Sequence, residues 1–251
     1  MTDGNGPTGT ERDPILEATG VTQEFGGVTV LENVSVGIEP GTVTALVGPN
    51  GSGKTTLLRI LCRVLSPTAG TVTYSGPEAT REIGYVQQQP AFRPEFTARE
   101  TIEFYTALAE TTADGVLDRV GLGDAGDRRV GALSGGMTRL LGVAQAAVGD
   151  PPVVVMDEPT TGLDPGMSER TFEIVRELAT GGTAVLVSSH DLTHVETCTD
   201  RTLVLNRGSV VADGDPETLC ERHGVGSLWD VFTEVVERPA EKIEVLGADQ
   251  G

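Results

Sequence analysis

Gly48-Pro49-Asn50-Gly51-Ser52-Gly53-Lys54-Thr55-Thr56 constrains this chain more than any other stretch. The apolar run Val43-Thr44-Ala45-Leu46-Val47 precedes it and Leu57-Leu58-Arg59-Ile60-Leu61 follows, so the order reads as strand, tight turn, helix. The frame G-x-x-x-x-G-K-[ST] needs each of its parts. Glycines let the backbone curl until successive N–H groups converge on phosphate oxygens, and the new helix aims its positive end at the same point. Lys54 then reaches the outer phosphates, and the Thr55 hydroxyl is placed to ligate Mg2+. The plainer reading is a glycine-rich turn that happens to precede a helix. Against it, the chain has only two lysines, Lys54 and Lys242, beside sixteen arginines, so a chance fit of the whole frame is rare. These residues predict a nucleoside-triphosphate site.

A chain of 251 residues suits one large α/β domain, or a core with an inserted subdomain, and a core of that size needs no covalent staples. Cys62, Cys198 and Cys220 show no C-x-x-C spacing and read as reduced, packed thiols of a cytoplasmic protein. Residues 1–14 are polar and glycine-rich without a basic start or an apolar stretch, which predicts a disordered tail in place of a secretion signal or transit peptide. A second flexible tail is expected over 237–251. The apolar runs are strand-length, far short of the roughly 18 residues of a membrane span, so no span of its own is expected. The net charge of -19, spread along the chain, repels nucleic acid and anionic headgroups. Scarce lysine and abundant acids resemble proteins that work in concentrated salt. There the screening length falls from about 10 Å to about 3 Å and the self-repulsion fades.

Along the chain, Ile15 to Val21 and Val28 to Ile38 alternate apolar and polar residues around Phe25-Gly26-Gly27, predicting an antiparallel pair. Phe25 is either a loop-end core residue or an exposed ring on which a base stacks. Ser66 to Gly70 reads as a turn, and Thr71 to Tyr74 and Glu82 to Val86 as strands. Arg99 to Leu108 and Gly115 to Val120 read as helical, so residues 90–150 predict a helical insertion between two strands of a parallel sheet. Leu133-Ser134-Gly135-Gly136-Met137 opens a helix over Thr138 to Val148, with Ser134 as its cap and the glycines baring backbone N–H groups.

Val153-Val154-Val155-Met156-Asp157-Glu158 is an apolar strand ending in two carboxylates. A buried parallel strand presents such residues at its carboxyl end, beside the phosphate loop. Asp157 suits Mg2+ binding through a water, and Glu158 suits orientation and deprotonation of an attacking water. Two exposed acids at a strand end are the alternative. Thr183 to Val187 is a further parallel strand, and His190 lies just past its end, where it could donate to a terminal phosphate. His194 and His223 receive no role. Arg201 to Asn206 and Ser209 to Asp213 predict a hairpin, followed by short helices from Pro216 and Ser227.

Together and in this order, these residues resemble the ATP-binding subunit of ABC transporters over about Ile15 to Val236. The phosphate loop, Leu133 to Met137 as signature, Val153 to Glu158 as second Walker motif, Gly162 to Asp164 as D-loop and His190 as switch histidine carry the resemblance. It implies a P-loop NTPase fold with a RecA-like parallel core, an N-terminal antiparallel β subdomain and an inserted helical subdomain. It implies ATP and Mg2+ as ligands, Phe25 as the adenine-stacking ring and Gln88 as a Mg2+ contact. Ser134, Gly135, Gly136 and Asp164 would meet nucleotide across a dimer, and a separate transmembrane permease would be the partner. Met137 stands for the commoner glutamine, Gln87 for the usual proline, and Phe25 lacks a tyrosine hydroxyl. The segment from Ser227 to Phe232 resembles subunits serving exporters of the multidrug or ABC-2 type. A soluble ABC-type ATPase and a non-hydrolysing ATP-dependent module are the competing classes.

Overall fold

The computed structural model describes residues 13–111 and 115–237. Two sheets organise it. β1 (Leu16–Phe25), β2 (Val28–Ile38) and β4 (Ala69–Tyr74) form a small antiparallel sheet in the order β2-β1-β4. β3 (Val43–Val47), β5 (Ile83–Val86), β6 (Val153–Asp157), β7 (Ala184–Ser188), β8 (Arg201–Asn206) and β9 (Ser209–Gly214) form the main sheet, ordered β5-β6-β7-β3-β8-β9. All its pairs are parallel except the β8–β9 hairpin.

Every residue of β3, β6 and β7 is buried, which explains why these strands are short, mostly apolar runs with no inside-outside alternation. α1 (Lys54–Leu61) lies between the sheets and buries Leu57, Leu58, Ile60 and Leu61 in one core with Leu16, Ile38 and Leu46. The other face of the main sheet carries α4 (Gly135–Ala147) and α5 (Pro165–Thr180), whose Leu141, Ala144, Phe172 and Val175 pack with Val154 and Val185. Between β5 and β6 the chain forms α2 (Ala98–Leu108), α3 (Val116–Arg119), two short 3₁₀ turns and α4. Thr97 and Glu100 close a reciprocal cap on α2, which fixes its start. The expected helical segment thus lies between two strands that pair parallel to each other.

Several boundaries differ from expectation. β1 continues through register shifts to Phe25 instead of stopping at Val21, because Gln23, Glu24 and Phe25 keep pairing with β2. Ala69 and Gly70 belong to β4 and not to a turn, since Ala69 pairs with Thr22. α6 (Leu192–Cys198) was not expected; Asp191 caps it by accepting from His194 N at 3.2 Å, and its two turns are too short for a periodic signal. α7 (Pro216–His223) and α8 (Leu228–Glu237) end the described chain. Of the N-terminal tail, Pro14 is described: its carbonyl accepts from Ser75 Oγ at 2.9 Å. Residues 1–12 and 238–251 lie outside the described residues. Among those described, no helix is long and apolar enough to cross a membrane.

Candidate active site

The main sheet brings the chemistry to one edge. Leu46 aligns with Ser188 and Asp157 also aligns with Ser188, so β3, β6 and β7 end side by side and release Gly48, Glu158 and Ser189 at the same level. In the phosphate loop, Ser52 N donates to Pro49 O at 3.1 Å, and Gly208 N, from the β8–β9 turn, donates to Ser52 O at 3.1 Å. Gly53 precedes α1 at φ 107, where a side chain would be strained, and a Cβ there would come within 2.9 Å of Val30 O. No side chain caps α1, so its first N–H groups are left for an anion. Lys54 is buried; its Nζ donates to Gly48 O at 2.7 Å and to Pro49 O at 3.3 Å. Burial lowers the Lys54 pKa below its ordinary value, with Glu158 and then Asp157 pulling it back up.

At the end of β6 the carboxylates are held by several neighbours. Ser188 Oγ donates to Asp157 Oδ1 at 2.8 Å and accepts from Glu158 N at 2.9 Å. Glu158 sits at φ 50, a left-handed conformation that costs a residue with a side chain about 1–3 kcal/mol and persists where the surroundings over-determine it. Its side chain is only 6% exposed, and the carboxylate faces three partners. Oε1 lies 3.9 Å from Lys54 Nζ and 2.7 Å from His190 Nδ1. Oε2 accepts from Thr161 Oγ1 at 3.2 Å, and Thr161 Oγ1 lies 3.1 Å from His190 Nε2. Arg139 Nη1, from α4, donates to Glu158 O at 3.1 Å and Gln88 O at 2.7 Å. Such an arrangement can bind an anion at the loop, hold a carboxylate beside it and orient that carboxylate through an imidazole.

The other expected site residues stand apart from this cluster. Ser134 caps α4, accepting from Met137 N at 3.2 Å, and it and Gly135 are exposed. A Cβ on Gly136 would meet Met167 Cε at 2.9 Å, so the signature turn packs on the start of α5. Asp164 caps α5, accepting from Met167 N at 3.1 Å. Phe25 stands 48% exposed at the β1–β2 tip, which disposes of the core reading. Gln88 is exposed and anchored through its carbonyl. Asn50 and Gly51 are exposed at the crest of the loop, and Thr55 and Thr56 are half-buried on the first turn of α1. His194 stacks on Phe172 at 5.0 Å and pairs with Asp191, a structural role.

Thr161, Ser188 and Arg139 were not anticipated. Ser188 could have been noticed as the polar end of an apolar strand, and Thr161 as a hydroxyl three residues past Glu158; nothing in the sequence marks Arg139. For a divalent cation, the Thr55 hydroxyl, the Asp157 carboxylate and the Gln88 amide are hard oxygen donors of the kind Mg2+ takes. Ser52 Oγ, buried and without a hydrogen-bond partner, adds an unspent oxygen in the loop. Among the described residues no cluster of three His, Cys, Asp or Glu could cage a metal.

The family model described as ABC transporter matches residues 31–161. Nod factor export ATP-binding protein I of Mesorhizobium japonicum is 33% identical over 92% of this chain and 74% of its own length. The chain belongs to the ABC transporter family. A daunorubicin resistance ATP-binding protein of Streptomyces coeruleorubidus is 35% identical over 87% of this chain and 73% of its own. Among solved structures, a dimeric ATP-binding cassette in a post-hydrolysis state with ADP and Pi superposes with a TM-score of 0.71 and 25% identity, over 80% of this chain and 98% of that one. This ABC cassette is therefore an ATP-binding ATPase subunit on a P-loop NTPase fold.

Proposed function

We propose that two copies of this ABC cassette close head to tail around Mg2+-ATP and that their hydrolytic cycle drives a separate transmembrane permease, in the direction of export. Residues 15–236 serve as the ATP-binding unit, with the helical insertion at about 90–150. The single observation that carries the reading is the Glu158 carboxylate, buried between Lys54 and His190 at the rim of the phosphate loop. The loop residues Gly48 to Thr56 wrap the phosphates, and Lys54 exchanges its loop carbonyls for the outer phosphate oxygens. Thr55, Asp157 and Gln88 would hold Mg2+, which when bound offsets the charge of the β- and γ-phosphates. Phe25 stacks on the adenine, and its exposure leaves the ring face free for this.

Glu158 takes a proton from water as the oxygen bonds to the γ-phosphorus. The bond to the β-phosphate oxygen breaks, and ADP and phosphate leave. His190 orients Glu158 through Nδ1, and its Nε2 would exchange Thr161 Oγ1 for the terminal phosphate. Ser134, Gly135, Gly136 and Asp164 act on the nucleotide of the second copy, and the exposure of Ser134, Gly135 and Asp164 at the starts of α4 and α5 supports that role. Export is supported by the Nod factor export relative; the cargo is selected by the permease and not by this chain. The subunit acts at the cytoplasmic face of the membrane. Its acidic surface, at -19, adapts it to concentrated salt.

Glu158→Gln tests the reading. Turnover should fall by about 10² or more while ATP binding persists and an ATP-bound dimer accumulates on size exclusion. Hydrolysis by the variant at the wild-type rate would remove Glu158 from the base role. An ATP-bound species that stays monomeric would return the chain to the soluble or non-hydrolysing classes.

A further inference from the structure

We infer that Arg139 is a positioning residue for hydrolysis: its guanidinium ties the peptide of Glu158 to the Gln88 loop, so that α4 and the water-activating carboxylate move together. The inference rests on the reading of Glu158 as the base. One nitrogen, Nη1, donates to two carbonyls of distant segments, Gln88 O at 2.7 Å and Glu158 O at 3.1 Å. Those carbonyls belong to the loop after β5 and to the end of β6, separated from Arg139 by 51 and 19 residues.

The Glu158 peptide has a particular need for such a tie. Its left-handed φ of 50 is imposed by the surroundings, and the structure holds it from both sides. Ser188 Oγ takes the N–H at 2.9 Å and Arg139 takes the carbonyl. Without the second anchor the residue is free to relax toward an ordinary backbone region, which swings the carboxylate away from Lys54 and His190 while leaving the phosphate loop as it was.

Arg139 rides on α4, five residues after the cap Ser134, so it reports the position of the signature turn. α4 is in turn locked to the same loop by packing. A Cβ on Gly142 would stand 2.8 Å from Pro90 Cγ, and a Cβ on Gly84 of β5 would overlap Ala146 O. α4, β5 and the Gln88 loop therefore form one block, which the sheet joins to β6, and Arg139 adds a side-chain bond from that block to the Glu158 carbonyl itself. Burial pushes the guanidinium pKa down, with the Glu158 charge acting the other way, yet an arginine stays charged at any working pH. A partly buried cation donating to carbonyl oxygens makes strong, directional bonds, and here the two hydrogens of one nitrogen, held in the guanidinium plane, serve the two acceptors.

Arg139→Met keeps an unbranched apolar stem and removes the donors; Arg139→Lys keeps one charged donor group. Steady-state ATPase assays on the full chain, with equilibrium nucleotide titration and thermal melts, should show kcat of the Met variant down about tenfold or more. Its KM and nucleotide Kd should stay within about threefold, and the Lys variant should fall between Met and wild type. Wild-type kcat in the Met variant overturns the inference. So does a raised KM at unchanged kcat, or losses in both variants that follow their melting temperatures alone. Should the Met variant fail to fold, the Lys variant decides: reduced kcat at unchanged KM and melting temperature supports the tie, and wild-type kcat refutes it. Glu158→Gln, run alongside, separates the two claims. If it retains wild-type turnover, the reading of Glu158 has failed; if it is inactive while Arg139→Met is not, only the tie has failed.

Discussion

The edge formed by Lys54, Asp157, Glu158 and His190 and the turn formed by Ser134, Gly135 and Gly136 are built on opposite plans. At the first, each of the four side chains pairs with a residue of another segment, and Lys54, Asp157 and Glu158 are buried. At the second, Ser134 binds its own helix, Gly136 leans on the start of α5, and Ser134 and Gly135 face solvent. One region is bonded across several segments of this chain; the other turns the start of α4 to solvent. A half-site of each kind on one chain is what a head-to-tail pair needs, since each copy then supplies the built edge to one nucleotide and the exposed turn to the other.

The sharpest way to break this contrast is at the built edge. Lys54→Ala should weaken nucleotide binding itself, by about tenfold or more, because it removes a charge-assisted contact and leaves its carbonyl partners unsatisfied. Equilibrium titration with a fluorescent ATP analogue checks this, and unchanged affinity would mean that the built edge is not where phosphate binds. At the exposed turn the expectation differs in kind. Ser134→Arg should leave the affinity of the isolated subunit within about twofold and reduce turnover about tenfold if, as proposed, the turn acts on a partner's nucleotide; loss of the cap costs about 1 kcal/mol. A variant that lowered monomer affinity instead would place the turn in its own chain's site. The smallest effect concerns the acidic exterior, which neither region shares. Raising KCl from about 0.1 M to about 1 M should lift the melting temperature by a few degrees as the screening length contracts. A melting temperature that ignores KCl would sink the adaptation to salt.

Much of the fold was legible because its signals are local. β3, β6 and β7 are apolar runs whose ends coincide with their motif residues, and Asp164 and Ser134 stand where a cap must stand. The strand β1 was read too short because bulges break its alternation while its pairing continues. α6 escaped because two turns carry no period, although Asp191 followed three residues later by an accepted N–H is an ordinary helix start. Lys54, Glu158 and His190 were each placed at the right edge, but their mutual contacts were not foreseeable: His190 was expected toward phosphate, and here it binds Glu158 and Thr161.

By itself the sequence determined the phosphate loop, the buried strands and the residue types gathered at their ends, because each depends on neighbours a few positions away. Tertiary structure alone decided that Ser188 would hold Asp157 and Glu158 across 31 and 30 residues, and that Arg139 would bind Gln88 and Glu158 at once. Such bonds are set by how strands align and helices dock, and those distances in space leave no spacing in the chain from which to read them.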